Sequence, residues 1–179
     1  MKPYLLITVV MTLTIGAYLY MRKPKNVRNN NPLNIKESAD WKGEKPLNFD
    51  PIMEEFIAPQ WGFRAGYIDL LQKLERHQNT IQQIIAGNAQ YSGWAPKGVD
   101  NNHTDNYIKY VANKMQISPA QVISPDMLPE MMLYMSKFEG DNINYFTIEH
   151  AYQGVELAQQ ESFVIARLGR MGESVGVFS

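Results

Sequence analysis

Residues 3–21 run for nineteen positions without a charged side chain, and this constrains the chain more than any other feature. At about 1.5 Å rise per residue, a helix of that length matches the roughly 30 Å hydrocarbon core of a bilayer. Tyr4, Tyr18 and Tyr20 sit near its ends, where amphipathic rings favour the interface. The alternative is a cleavable signal peptide, but the run is long for one and Ile15-Gly16-Ala17 is a poor cleavage site. Residues 1–22 are therefore expected to be a retained transmembrane helix contacting lipid through 3–21, with a basic linker over 23–31. Arg22, Lys23, Lys25 and Arg28, against Lys2 alone, predict that the rest of the chain starts on the cytoplasmic side.

The remainder reads as one mainly α domain over 32–160, with a loosely packed tail over 161–179. Asn34 to Phe49 is punctuated by Gly, Pro, Asp and Asn, which suggests loops or short hairpins. Pro59 suits a helix start, and Phe63, Tyr67, Leu70, Leu71 and Leu74 recur at helical spacing. Thr80 can cap a second helix, ended by Gly87. A third opens at Thr104 with Tyr107, Ile108, Val111 and Met115 on one face. Ser118-Pro119 and Ser124-Pro125 are two further cap-plus-proline starts, the second leading through Leu128, Met131, Met132 and Met135 to Glu139 and Gly140. A last helix is expected near Thr147 to Gln160.

Charge and residue types exclude several functions. Lys+Arg is 17 and Asp+Glu is 18, a net charge of −1, so no cation excess exists to displace polynucleotide counterions. Nucleic acid is not an expected partner. There is no cysteine, which rules out disulfides, a thiolate nucleophile and cysteine zinc sites. His77, His103 and His150 stand singly, so no metal and no cofactor is expected. Neither a phosphate-binding glycine loop nor a G-x-S-x-G elbow occurs.

Carboxylates remain as reaction-centre candidates. Glu139 follows Met135 by four residues, so it falls on the apolar helical face. It also stands at the helix C-terminus, where the dipole disfavours a negative charge. Both effects raise a carboxyl pKa, as a general acid working near neutral pH requires. The bland reading is a helix-end Glu turned to water. Glu54 and Glu55 flank a probable strand and form a second set, which more often reads as a solvated face. Asp100, Asn101 and Asn102 lie in a loop after Trp94. An aromatic face can stack on a pyranose while amides and carboxylates bond its hydroxyls, although the same residues suit a plain turn.

One stretch carries a resemblance. Arg28-Asn29-Asn30-Asn31-Pro32-Leu33-Asn34-Ile35 is similar to the opening of a family of bacteriophage structural proteins and phage-associated lysozyme-like proteins. The similarity continues through Trp41-x-Gly43, Phe56, Trp61 to Ala65, Thr80-Ile81, Trp94-Ala95-Pro96, Asp100 to Thr104, Tyr107 and Phe138-Glu139-Gly140, covering roughly 28–158 in order. Leu33 stands where the family has Gly, Phe138 where it has His, and Gly140 follows Glu139 without an intervening Asn.

The resemblance implies a lysozyme-like α+β fold acting on peptidoglycan. It makes Glu139 the acid, Glu55 and Asp100 its available partner carboxylates, and Asn31, Arg64, Trp94, Asn101, Asn102 and Tyr107 candidate substrate contacts. A single Glu suffices for a lytic transglycosylase, whereas a hydrolase needs a second carboxylate. The expected function is thus a membrane-anchored phage enzyme cleaving wall glycan during entry or exit. The rival is a non-catalytic virion membrane protein that binds the wall or scaffolds, with capsid or other virion membrane proteins as partners. A cytoplasmic start conflicts with a wall substrate, and a virion internal membrane, or the host inner membrane on which it assembles, reconciles the two.

Overall fold

The computed structural model describes residues 22–100 and 102–176. Seven helices occur among them, α1 Lys25–Arg28, α2 Pro59–Glu75, α3 Ile81–Ala86, α4 Thr104–Met115, α5 Leu128–Phe138, α6 Ile148–Gln159 and α7 Ser162–Gly176, with a 3₁₀ turn Pro125–Met127 leading into α5. The start signals act as their chemistry dictates. Pro59 occupies the first turn of α2, where a missing N–H leaves nothing unpaired. The Thr80 hydroxyl accepts from the Gln83 N–H at 3.2 Å and caps α3, while Thr147 and His150 cap α6 reciprocally. Ser118-Pro119 makes only a turn.

α2 lies at the centre of the core, with Phe63, Ala65, Leu70 and Leu71 fully buried and α6 packed along it. The two helices meet closely at Gly154. A Cβ there would stand 2.6 Å from Phe63 Cβ and 2.8 Å from the Arg64 backbone nitrogen. Gly154→Ala is therefore expected to lower unfolding free energy by about 1–3 kcal/mol, the usual cost of overpacking, read from a chemical denaturation midpoint.

Several expectations are corrected here. Among the described residues no helix is long and apolar enough to cross a membrane. Even α2, with 17 residues, carries Arg64, Asp69, Lys73 and Glu75. The expected span over 3–21 lies outside the described residues. The described part of the fold is mainly helical with no bilayer-crossing helix, a finding that counts against the expected transmembrane helix and against the single-pass placement in a virion or host membrane. The β part of the expected α+β domain is limited, among the described residues, to isolated antiparallel bridges such as Lys36 with Met53 and Glu44 with Phe56. The tail over 162–176 is helical, and Val164 on α7 is fully buried.

Residues 25–31, expected as linker, are part of the packed fold. Asn26, Asn29 and Asn31 are buried because their amides satisfy groups that the irregular 34–57 segment and α5 leave open. Asn26 Nδ2 donates to the Ser136 carbonyl at 3.0 Å, and Asn29 Nδ2 to Asp50 at 3.0 Å. Asn30 Nδ2 donates to the Phe56 carbonyl at 3.0 Å. Burial opposes the charge on Asp50, but the Asn29 amide, the Met53 and Ile52 N–H groups and Lys25 outweigh it and hold its pKa at about 2. Leu33 is fully buried against Gly66, and left-handed backbone falls instead on Asn30 and Asn34, a residue type that tolerates it.

Candidate functional site

α5 delivers Glu139 to the floor of a cleft of about 650 Å³ bounded by the 33–38 turn, α2 and the 92–102 loop. Glu139 is the C-cap residue of α5, and its N–H bonds the Met135 carbonyl at 2.9 Å. The left-handed turn at Asn34 aims an amide back at this helix end. Its Nδ2 donates to Glu139 Oε2 at 2.9 Å and to the Glu139 backbone carbonyl at 3.3 Å. Asn34 Oδ1 is buried without a partner.

Beneath the carboxylate lies Tyr107 of α4, whose ring stacks on Phe138 at 4.1 Å. Its hydroxyl is close enough to influence the carboxyl electrostatically yet makes no hydrogen bond of full geometry. Burial raises the Glu139 pKa, and Asn34 and Tyr107 offset this only in part. Burial, reinforced by the neighbouring Glu139, pushes the Tyr107 hydroxyl well above its ordinary value. Phe138, in place of a histidine, thus supplies an apolar platform beside the acid.

Trp94, half-buried, forms one wall with Asn102. At the mouth Lys36 Nζ pairs with Asp100, both side chains more than half exposed, so the contact adds little stability and a ligand can displace it. Two further lining groups that sequence reasoning missed are Asp69 and Lys73 of α2, with Lys73 Nζ 6.0 Å from the centre of the Trp94 ring. Their i,i+4 spacing reads as an ordinary solvated pair, and nothing in it signals a cleft. Asn34 was overlooked as well, although it stands inside the Arg28 to Ile35 motif.

The cleft brings together Glu139, Asp100, Trp94 and Asn102, with Tyr107 under the acid. Asn101 lies outside the described residues. The other candidates stand elsewhere. Glu55 is buried and pairs with Lys45 at 2.8 Å while accepting from the Asp50 N–H at 2.9 Å, so it organises the 44–57 loop. Glu54 is buried too, and burial raises its pKa although it accepts from the Ser38 N–H. Arg64 is turned inward to Glu161 at 2.7 Å. Asn31 is fully buried and bonds only backbone groups. Glu55, Arg64 and Asn31 are buried and do not line the cleft. Among the described residues no group of three or more His, Cys, Asp or Glu side chains could hold a metal ion.

No protein-family profile matches the chain. It is 37% identical over 137 residues to protein P5 of Pseudoalteromonas phage PM2, an alignment spanning 74% of this chain and 80% of that protein.

Proposed function

The chain belongs to the family of protein P5 of Pseudoalteromonas phage PM2, and on that premise we propose that it is a structural component of a phage virion whose helical domain engages host cell-wall glycan in the Glu139 cleft. The supporting observation is the cleft itself, where an accessible indole, an amide and carboxylates converge in a concave site of sugar-binding size. Cosedimentation with purified peptidoglycan sacculi tests the reading. Trp94→Ala is expected to weaken that binding at least about tenfold, as loss of one aromatic hot spot does, with the circular dichroism spectrum retained. Failure of the parent protein to sediment with sacculi overturns the reading.

One observation favours a second reading, in which the bound glycan is also cut. A carboxyl whose pKa is raised by burial, on the floor of a cleft and with a donor fixing one oxygen, is what a general acid requires. Glu139 would protonate the glycosidic oxygen as the bond to the anomeric carbon breaks. Its carboxylate would then take the proton from the sugar's own 6-hydroxyl, whose oxygen closes an anhydro ring. No water nucleophile enters, in keeping with Glu55, paired to Lys45, lying outside the cleft. A zymogram on embedded peptidoglycan separates binding from cleavage.

A further inference from the structure

The Asn34 amide serves two acceptors of one residue at the end of α5. Its Nδ2 donates to Glu139 Oε2 at 2.9 Å and to the Glu139 backbone carbonyl at 3.3 Å. The second bond fixes which way the amide faces. A backbone carbonyl only accepts, so turning the amide over would set Asn34 Oδ1 against two acceptor atoms at once. This orientation has a cost, because it leaves Oδ1 buried without a partner. The backbone is committed to the same end. Asn34 holds a φ of 49°, a left-handed conformation that asparagine tolerates, and the turn aims its side chain at a residue 105 positions later.

The locked amide bears on where the Glu139 proton sits. A neutral carboxyl has one hydroxyl oxygen and one carbonyl oxygen, and the carbonyl oxygen is the better acceptor. Since the amide presents a donor to Oε2 in either protonation state, Oε2 stays the acceptor and Oε1 becomes the hydroxyl. We propose that Asn34 is a positioning residue that assigns the acid proton of Glu139 to Oε1 and keeps Oε2 an acceptor before and after proton transfer. The proposal rests on the reading in which Glu139 cuts the glycan. The Oε1 proton passes to the glycosidic oxygen as that oxygen's bond to the anomeric carbon breaks. The charge left on the carboxylate is shared with Oε2, where the Asn34 donor already waits. Oε1 then takes the 6-hydroxyl proton while the 6-oxygen bonds the anomeric carbon, so the carboxyl need not rotate between the two transfers. Burial, Asn34 and Tyr107 set the Glu139 pKa. The other charged groups lining the cleft are Lys36 and Asp100, paired with each other at the mouth, and Asp69 and Lys73 of α2.

Asn34→Gly and Asn34→Asp both suit the left-handed turn, so they change the amide without straining the backbone. Carbon-13 NMR titration of the Glu139 carboxyl in the full chain, assigned with Glu139→Gln, reads their effect without activity. Asn34→Gly removes a donor to the ionised form, so the Glu139 pKa should rise by about one unit or more. Asn34→Asp should raise it further, because two adjacent carboxyls then share a proton. The basic limb of the pH profile for muropeptide release should move up with the Glu139 pKa, and kcat should fall while KM holds. An unchanged Glu139 pKa in Asn34→Gly makes Asn34 a helix cap alone and overturns the proposal. The parent supplies a test that needs no variant to fold. Its hydrogen-bonded Asn34 amide proton should stay downfield and exchange slowly with solvent throughout the Glu139 titration. Loss of both properties as Glu139 takes up its proton overturns the assignment to Oε1. The two readings fail separately: a parent that releases no muropeptides overturns the cutting reading, whereas an unshifted carboxyl overturns the role of Asn34.

Discussion

Glu139→Gln should lower muropeptide release from peptidoglycan by about two orders of magnitude or more, the share general acid catalysis usually contributes, and should do so without loss of stability. The amide keeps the side chain's shape and can still accept from Asn34 Nδ2. What it lacks is a proton to give to a leaving oxygen. The stability half follows from the raised pKa of Glu139. A folded-state pKa above the unfolded value means that the ionised carboxyl disfavours folding at neutral pH. That penalty vanishes as pH falls through the folded pKa to below the unfolded value, where both states are protonated. The variant should therefore melt at or above the parent at pH 7, with the difference shrinking toward pH 4. Glu54→Gln and Glu55→Gln are the controls. Glu55→Gln loses the ion pair with Lys45 and should lower the melting temperature. Burial also raises the Glu54 pKa, and an amide can keep the bond from the Ser38 N–H, so Glu54→Gln should hold its stability. Both should leave activity per folded molecule intact. Muropeptide release by Glu139→Gln equal to that of the parent excludes the acid role. Absence of release from the parent leaves the cleft a binding site.

Helical periodicity and caps made most of the helical fold readable, because they are local. Phe63, Tyr67, Leu70, Leu71 and Leu74 declare the buried face of α2, and Thr80, Thr147 and Pro59 mark starts by chemistry confined to one turn. Glu139 was readable for the same reason, since its face is set by Met135 four residues earlier. The cleft wall was not readable. Asp69 and Lys73 become site residues only because the 92–102 loop folds over against α2, a long-range event without local signature. The same holds in reverse for Arg64 and Glu55. Charged types in a sequence suggest exposure or function, yet Arg64 meets Glu161 and Glu55 meets Lys45, partners that only the folded chain supplies. The tail over 161–179 looked loosely packed because Gly169, Gly172 and Gly176 weaken helical propensity, but Val164, Leu168 and Met171 give α7 an apolar face that packs against the core.

Asn31 separates a motif's structural use from a functional one, and its removal should carry the largest stability effect. Its Nδ2 donates to the carbonyls of Ile35 and Glu54 at 2.9 and 3.0 Å, and its Oδ1 accepts from the Ile35 N–H at 2.9 Å. The side chain is fully buried, so no water can replace these bonds. Asn31→Ala strands the Ile35 N–H and the Glu54 carbonyl, while the Ile35 carbonyl keeps the Glu54 N–H at 2.9 Å. At about 1–3 kcal/mol for each unsatisfied group, a loss of roughly 2–5 kcal/mol is expected. Asn31→Asp should also destabilise, because a carboxylate accepts from the Ile35 N–H but offers nothing to the two carbonyls. The effect reaches the cleft. Asn31 shapes the 31–35 turn that holds Asn34 against Glu139, so partial loosening should also weaken glycan binding, and binding and melting temperature should fall together. A substrate contact would behave differently, losing binding while the melting temperature stays within about one degree of the parent. Circular dichroism melting of Asn31→Ala beside sacculus binding distinguishes the two, and an unchanged melting temperature rejects the structural assignment.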